Sequence, residues 1–318
     1  MNKRILLVGE PMGLFIAQEE GTFEDVNSFY SAIAGAEFNV AVGLKRLGQE
    51  VTYLTKLGED PFGLRIIKMM QKNGIETNEI IMSKDKSTGF MFKSKVSKGD
   101  PAIFYFRKSS AASTLSPQDV KNLNYQNFNL VHMTGITPAL TESTREMTKV
   151  LFQLARANKL TISFDPNLRP QLWKTPQLMC ETINKLAYSS DIFMPGIKEA
   201  NILIQETEPE KIAQHYISNG TKCIIVKLGA EGAYYQDEIS SGYVAGYSVE
   251  KIVDTVGAGD GFAAGVLSGL QEGLSLEQAV KRGNAVGAIQ VMSIGDNDGL
   301  PTKKELELYM NGINNWRN

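Results

Sequence analysis

Short runs of apolar residues alternate along this chain with longer stretches in which apolar residues recur every three to four positions. The short runs predict buried strands, and the longer stretches predict helices with one apolar face. Together they predict an α/β protein with a mainly parallel central sheet and helices on both of its faces. The predicted core strands span residues 4–8, 51–57, 130–134, 161–165, 191–194 and 223–227. The predicted helices span residues 36–47, 61–73, 143–157, 209–218, 261–271, 276–292 and 303–311.

Two of these helices have readable starts. Asp60 precedes Pro61, which predicts an aspartate N-cap with proline in the first helical position. Ser143 and Glu146 have the spacing of a capping box at the start of the third predicted helix.

Two segments, 13–33 and 88–107, break the alternation because they predict strands without crossover helices. In the second segment, two apolar runs flank turn residues at 97–100, which suits a hairpin. We expect both segments to form a small β-sheet over one edge of the main sheet. A lid over a site and a plain surface hairpin explain the pattern equally well. No linker, repeat or low-complexity tract interrupts the chain, so residues 1–318 are expected to form one α/β domain with the lid strands inserted.

Composition narrows the function. The chain has 318 residues, 42% of them hydrophobic, which is enough for a large core. A formal net charge of −2 favours neither a nucleic-acid surface nor a basic membrane-binding face, and no apolar run is long enough to span a bilayer. With two cysteines and two histidines, neither a disulfide framework nor a Cys/His zinc site is expected. A reducing cytoplasm is the expected location.

The run Asp-Thr-Val-Gly-Ala-Gly-Asp-Gly-Phe-Ala-Ala-Gly at 254–265 is the strongest chemical signal. Its glycines leave backbone amides uncovered at the start of a predicted helix, where the helix dipole also attracts anions. Asp260 would repel such an anion unless its carboxylate faces a substrate hydroxyl and accepts the proton. Taken alone, a Gly-rich turn with an aspartate is more often the start of a helix that binds nothing.

Three other segments carry candidate chemistry. Gly35 and Asn39 belong to a glycine turn that opens a helix, and on these residues alone a capped helix is the preferred explanation. Strand alternation places Tyr105 and Arg107 on one face, where a guanidinium can meet a carboxylate with two hydrogen bonds. An arginine in solvent is the alternative. Polar residues at 165–169 follow an apolar strand, and ligands of open α/β sheets gather at the carboxyl ends of strands. A simple turn explains these as well.

The run at 254–265 closely resembles the C-terminal motif of the ribokinase-like (PfkB) carbohydrate kinases. Ala34, Gly35 and Asn39 resemble the glycine-and-asparagine pattern with which that family binds its sugar. The resemblance extends from Gly9 to about Pro301. Within the family, the sequences at 104–108, 134–140 and 165–173 are most similar to 2-keto-3-deoxygluconate kinases.

This resemblance implies a ribokinase-like fold and an ATP-dependent sugar-acid kinase that phosphorylates the 6-hydroxyl of 2-keto-3-deoxy-D-gluconate. It implies ATP and Mg²⁺, allows a monovalent cation, and suggests a homo-oligomer formed through the lid. The implied catalytic residues are Asp260 as base, Gly257, Ala258 and Gly259 as the anion hole, and Arg169. The implied substrate contacts are Gly35, Asn39, Met91, Tyr105, Arg107, Arg169, Asp260 and Asp296. The implied nucleotide contacts are Asn167, Lys227, Gly229, Gly232, Gly257, Gly259 and Asn284, with Glu199 organising magnesium indirectly through water.

The chain departs from the family pattern at three positions. Ala34 replaces one of two paired glycines, Met91 stands about where a tyrosine is usual, and Gly196 replaces an asparagine. Alternative functions are a fructokinase or another PfkB sugar kinase, and a catalytically silent sugar-binding regulatory module. A nucleoside kinase fits less well, because Arg107 and Arg169 suit an anion better than a base.

Overall fold

The computed structural model describes residues 4–96, 101–293, 295–313 and 316–317. Its large sheet has nine strands in the order β13-β12-β11-β10-β9-β8-β1-β4-β5. Neighbours from β11 to β5 are parallel, and β12 and β13 are antiparallel. In chain numbering these strands are β1 (Arg4–Val8), β4 (Val51–Gly58), β5 (Ile80–Ser83), β8 (Phe128–Thr134), β9 (Thr161–Asp165), β10 (Ile192–Phe193), β11 (Cys223–Lys227), β12 (Gly232–Gln236) and β13 (Ser241–Ala245).

Helices cover both faces of this sheet. They are α1 (Ala36–Arg46), α2 (Pro61–Lys72), α3 (Pro117–Lys121), α4 (Thr137–Leu140), α5 (Glu142–Ala157), α6 (Pro176–Tyr188), α7 (Ile197–Ile204), α8 (Pro209–Ser218), α9 (Ala258–Gln271), α10 (Leu276–Gln290) and α11 (Lys303–Met310).

Two hydrophobic cores result from the alternation of side chains along the strands. In β1, Ile5 and Leu7 join the core that contains α1, α9 and α10. Leu6 and Val8 point the other way and join the core that contains α5, α6 and α8. Because β1 is buried on both faces, it reads as a continuous apolar run, as central parallel strands do.

The second sheet has four strands in the order β3-β2-β6-β7, and we call it the lid. They are β2 (Met12–Glu20), β3 (Phe29–Ala34), β6 (Phe90–Lys95) and β7 (Ile103–Phe106). One face packs a small apolar core formed by Met12, Leu14, Ile16, Ala34 and Met91. The other face carries phenylalanine rings, with Phe90 stacked on Phe106 at 4.8 Å between centroids. The small separate sheet expected from 13–33 and 88–107 is therefore confirmed. The turn expected at 97–100 lies outside the described residues.

Some local predictions are wrong. Thr141, not Ser143, caps α5: the Thr144 amide donates to Thr141 Oγ1 at 3.2 Å. The Ser143 hydroxyl instead donates to the carbonyl of Leu115, and Glu146 pairs with Lys149 on the surface. Helix α9 begins at Ala258, three residues before the predicted start at 261, so the glycine motif itself forms its first turn. Strand β10 is shorter than predicted. Helices α6 and α7 and strands β5, β12 and β13 were not predicted.

In the part of the chain that the structure describes, no helix combines the length and apolar character needed to cross a bilayer.

Candidate active site

The carboxyl ends of four strands meet at one edge of the large sheet. Glu10 follows β1, and Thr134, Asp165 and Lys227 end β8, β9 and β11. The lid covers this edge, and the N-terminus of α9 approaches it from the side. A cavity of about 520 Å³ lies between these elements. Its lining comes from the segments that follow β1 and β8, from the ends of β9 and β11, from the lid and from the start of α9. The cavity is where ligands of open α/β sheets are expected.

The N-terminus of α9 faces this cavity with free backbone amides. Gly257 adopts φ 79°, a left-handed conformation that a residue with a Cβ adopts only with strain. Its conformation sets the direction of the first turn, in which the Gly261 amide donates to the Gly257 carbonyl at 2.8 Å. Among the described residues, nothing accepts a hydrogen bond from the amides of Gly257, Gly259 and Asp260. Ala258 differs, because its amide reaches the Thr255 carbonyl at 3.4 Å. The arrangement is a ready anion site.

Asp260 lies half-buried in the first turn of α9. Its Oδ2 accepts a hydrogen bond from Asn39 Nδ2 at 2.7 Å. The pKa of Asp260 is raised to about 7, chiefly by burial. The nearby Asp165 also raises this pKa, whereas Asn39 and Arg169 lower it. A carboxyl group with a pKa near neutrality is suited to accepting a proton at physiological pH.

Arg107 lies in the cavity wall just after β7, paired with a carboxylate of the protein itself. Its Nε and Nη2 donate to Glu10 Oε2 at 2.8 and 2.5 Å, and both residues are buried. Ser110 donates to the other oxygen of Glu10. The Arg107 guanidinium lies over the Tyr105 ring, 5.5 Å from its centroid, and both side chains line the cavity. Glu10 thus fixes the orientation of Arg107 before any ligand binds.

A second buried acid, Glu37, lines the same cavity from α1. Its Oε1 accepts hydrogen bonds from the Thr134 amide at 3.0 Å and the Thr134 hydroxyl at 2.7 Å. Burial raises the pKa of Glu37, an effect that these hydrogen bonds and Arg107 oppose. Glu37 therefore fastens the start of α1, which carries Asn39, to the end of β8.

Lys227, Asp165 and Glu199 form a charged cluster in the wall of the first cavity. Lys227 Nζ lies 2.6 Å from Asp165 Oδ2. Burial alone would lower the pKa of Lys227, but Asp165 and Glu199 outweigh it and raise that pKa. Both carboxyl oxygens of Glu199 accept backbone amides, from Leu168 at 2.8 Å and Gly196 at 2.7 Å.

A second cavity of about 690 Å³ adjoins the first, and Lys227, Thr255 and Gly259 line both. Its walls are mostly apolar, with Phe262, Val291 and Ile252 among them. The second cavity lies beside the start of α9, since Gly259 lines both cavities. It offers room for a flat apolar group whose charged end reaches the first cavity.

Comparison with known proteins identifies the family of this chain. A family model described as pfkB family carbohydrate kinase matches residues 2–303. The chain belongs to this family. It is 46% identical to 2-dehydro-3-deoxygluconokinase of Bacillus subtilis, over 95% of this chain and 94% of the relative. The crystal structure of a PfkB protein from Polaromonas sp. JS666 superposes with a TM-score of 0.89 at 42% identity, covering 96% of this chain and 99% of that one.

A putative ribokinase II from Escherichia coli, crystallised with ATP and Mg²⁺, superposes with a TM-score of 0.90 at 26% identity. The superposition covers 98% of this chain and 100% of that one. The ribokinase-like α/β fold expected from the sequence is therefore confirmed, as is the assignment to a carbohydrate kinase that transfers phosphate to an alcohol group.

The structure brings the sequence-predicted residues of this kinase together. All eight predicted substrate contacts line the first cavity: Gly35, Asn39, Met91, Tyr105, Arg107, Arg169, Asp260 and Asp296. Of the predicted nucleotide contacts, Lys227, Gly229, Gly232, Gly259 and Asn284 line the second cavity. Asn167 and Gly257 line the first cavity instead. Ala258, predicted for the anion hole, lines the second.

Two of the predicted nucleotide contacts, Asn284 and Gly232, also have structural roles. Asn284 donates from its amide to the carbonyls of Val244 and Ala245 at 3.0 and 3.1 Å. Gly232 has φ 107°, and an added Cβ would lie 2.1 Å from the Val244 carbonyl oxygen. The conformation and packing of β12 against β13 therefore require a glycine at 232 whether or not a ligand binds.

Sequence reasoning missed Glu10 and Glu37. Glu10 directly follows the apolar strand β1, so the strand-end argument that singled out Asp165 applied to it equally. Glu37 lies between Gly35 and Asn39 at the start of the predicted helix, where an acidic residue has an ordinary role in the first turn. Neither contact could be read from the sequence, because the partners are about 100 residues away.

A magnesium ion fits this site as a water-bound ion. Among the described residues, no group of three or more His, Cys, Asp or Glu side chains could hold a metal. Mg²⁺ in phosphoryl-transfer sites takes few protein ligands and keeps several waters. Both carboxyl oxygens of Glu199 already accept backbone amides, and its contact with Mg²⁺ through water stays a prediction.

Proposed function

We propose that this protein is the ATP-dependent kinase of 2-keto-3-deoxy-D-gluconate and phosphorylates its 6-hydroxyl. The observation that carries the proposal is the position of Asp260, whose carboxyl group shares the α9 N-terminus with free amides and faces a cavity containing Arg107 and Arg169. The 46% identical relative named for this activity supports the choice of substrate.

In the proposed mechanism, Asp260 accepts the proton of the sugar hydroxyl while the hydroxyl oxygen bonds to the γ-phosphorus of ATP. The bond from that phosphorus to the bridging oxygen breaks, and ADP leaves with the electron pair. The amides of Gly257, Gly259 and Asp260 stabilise the negative charge of the phosphoryl group in flight. Arg169 lies in the same cavity and offsets the developing charge.

The lid supplies the preference for an acid. Two of the donor nitrogens of Arg107 contact Glu10, so the guanidinium is held rigidly, and Nη1 has no hydrogen-bond partner among the described residues. A rigid, desolvated arginine binds a sugar carboxylate with charge-assisted hydrogen bonds. Met91 adds an apolar wall in the same cavity.

The two cavities together support a proposed arrangement of the nucleotide and the metal. We place the adenine among its apolar walls and the phosphates toward Lys227 and Gly259, which line both cavities. Glu199 would hold Mg²⁺ through water, and the ion would supply charge neutralisation for the phosphates. Dependence on a monovalent cation and a cytoplasmic location stay predictions from the sequence.

Turnover measured by ADP release across a panel of sugars tests the proposal. With ATP, 2-keto-3-deoxy-D-gluconate should exceed fructose in kcat/KM by at least about tenfold, equivalent to about 1.4 kcal/mol. A preference for fructose would identify a fructokinase. Sugar binding without turnover on any member of the panel would identify the silent regulatory module.

The exposed face of the lid supports a further part of the proposal, assembly with a second copy. Phe104 and Phe106, on the phenylalanine face of β7, are 54% and 48% exposed. Paired substitution of Phe104 and Phe106 by Ser should convert the oligomer to a monomer in light scattering. Ile239→Ser, at an apolar residue 94% exposed far along the chain, is the control. A wild-type protein that is already monomeric would refute assembly through the lid.

A further inference from the structure

Lys93 is a buried lysine on the lid that the mechanism above does not use. It lies on β6 and is 5% exposed, on the strand face that also carries Met91, opposite the phenylalanine cluster. Its Nζ lies 2.7 Å from Asp254 Oδ2. A buried ammonium group is costly unless it is paired, so this contact fixes the lysine side chain. Lys93 is not among the described residues that line the cavity.

Asp254 is the first residue of the glycine motif, and it shapes the turn that leads to the free amides. While Oδ2 contacts Lys93, Oδ1 accepts the Val256 amide at 3.0 Å. The amides of Val253 and Asp254 donate to the Val291 carbonyl at 2.8 and 3.2 Å. The carboxyl group of Asp254 is thus fixed between the lid and the backbone of the motif.

Asp296 forms the third side of this cluster. Its Oδ1 lies 3.8 Å from Lys93 Nζ and has no hydrogen-bond partner among the described residues. Asp296 lines the cavity and is 7% exposed. Its carbonyl oxygen lies against Gly257, where an added Cβ would approach to 2.0 Å. Lys93 therefore reaches both segments that pack around the left-handed Gly257.

We propose that Lys93 is a positioning residue that couples the lid to the anion hole. Through Asp254 and Asp296 it holds the turn at Gly257, so that the amides of α9 point into the cavity under the lid strand that carries Met91. This inference rests on the proposed function, since it assigns those amides to the transferring phosphoryl group. Contacts made in the transition state affect kcat more than ground-state affinity.

The test compares Lys93→Met with Lys95→Met. Lys95 lies on the same strand, is exposed, and among the described residues donates to the Gln18 carbonyl alone, at 3.0 Å. Lys93→Met should lower kcat by about 10- to 100-fold, the usual result of small misplacement of reacting groups, with each KM within about threefold of wild type. Lys93→Arg should restore kcat to within about fivefold, and Lys95→Met should match wild type.

A kcat of Lys93→Met within threefold of wild type overturns the inference. A kcat of Lys93→Arg no higher than that of Lys93→Met overturns it as well. The double variant Lys93→Met/Asp254→Asn removes both charges of the Lys93–Asp254 pair and covers the case in which Lys93→Met does not fold. Its kcat should equal that of Asp254→Asn alone, because residues that act as a pair are not additive. If the kcat losses of the two single variants multiply in the double variant, Lys93 and Asp254 do not act as a pair. A wild-type enzyme that turns over no sugar acid refutes the proposed function, whereas normal wild-type turnover with unaffected Lys93→Met refutes only this inference.

Discussion

The Asn39 amide nitrogen lies 2.7 Å from Asp260 Oδ2 and joins two helices whose sequences are 221 positions apart. Asn297 Nδ2 donates to Asn39 Oδ1 at 2.8 Å, which orients the amide so that its donor faces the carboxylate. The contact favours the charged form of Asp260 and opposes the rise of its pKa caused by burial. Asn39 thus both lines the first cavity and lowers the pKa of the proposed base.

Substitution Asn39→Ala should therefore move the acid limb of the pH profile. A base must be deprotonated, so wild-type kcat/KM should rise with pH through about 7, the pKa of Asp260. Without the amide donor the pKa rises, and the midpoint should move up by about one pH unit, since a hydrogen bond to a charged group is worth about 1.5–3 kcal/mol. Asn297→Ala, which only loosens the orientation of Asn39, should move it less. If the midpoint of the acid limb is the same in Asn39→Ala as in wild type, the pKa of Asp260 does not determine that midpoint.

Arg107→Leu should weaken binding of acids selectively. We expect KM for 2-keto-3-deoxy-D-gluconate to rise by about 10- to 100-fold, because charge-assisted hydrogen bonds are worth about 1.5–3 kcal/mol. KM for a neutral ketose such as fructose should change by less than about threefold. The variant leaves Glu10 buried without its partner, which lowers stability, but KM does not depend on the fraction of folded enzyme. Lys108→Leu, at an exposed neighbouring residue outside the first cavity, is the control. Equal changes for acid and ketose would refute the role of Arg107.

Alanine substitutions at Gly257 and Gly259 should separate folding from nucleotide binding. At Gly257, φ is 79° and the new Cβ would lie 2.0 Å from the Asp296 carbonyl oxygen, so we expect a loss of about 1–3 kcal/mol in unfolding free energy. At Gly259 the nearest atom is Lys227 Nζ at 3.9 Å. Gly259→Ala should therefore unfold within about 0.5 kcal/mol of wild type, yet raise KM for ATP because its methyl group enters the space between the two cavities. Equal denaturation midpoints for both variants would contradict this account.

The sequence predicted most accurately the strands that apolar residues fill and a helix with a clear start signal. Strands 4–8, 161–165 and 223–227 and helix 209–218 have the predicted ends, because apolar residues fill the strands and Pro209 marks the start of the helix. Asp60 caps α2 as predicted, accepting the amides of Phe62 and Gly63. Helix α6 escaped prediction although Thr175 and Pro176 provide the same start signal.

Which motif residues lie near one another was predictable, but Glu10, Glu37 and the contacts within the site were not. The glycine motif and the strand-end residues identify which side chains meet, since topology brings strand ends to one edge. The pairings of Arg107 with Glu10 and of Lys93 with Asp254 join residues 97 and 161 positions apart. No local pattern encodes such pairs, because each depends on how the lid packs over the sheet.

The central claim, that Asp260 is the base, is tested most directly by the kcat of Asp260→Asn with ATP and 2-keto-3-deoxy-D-gluconate. The substitution keeps the shape of the side chain and a possible contact with Asn39, while removing the proton acceptor. Loss of a general base lowers kcat by about 10²- to 10⁴-fold, and ATP affinity should change little because the amides of α9 remain. A variant with kcat within about threefold of wild type would contradict the assignment.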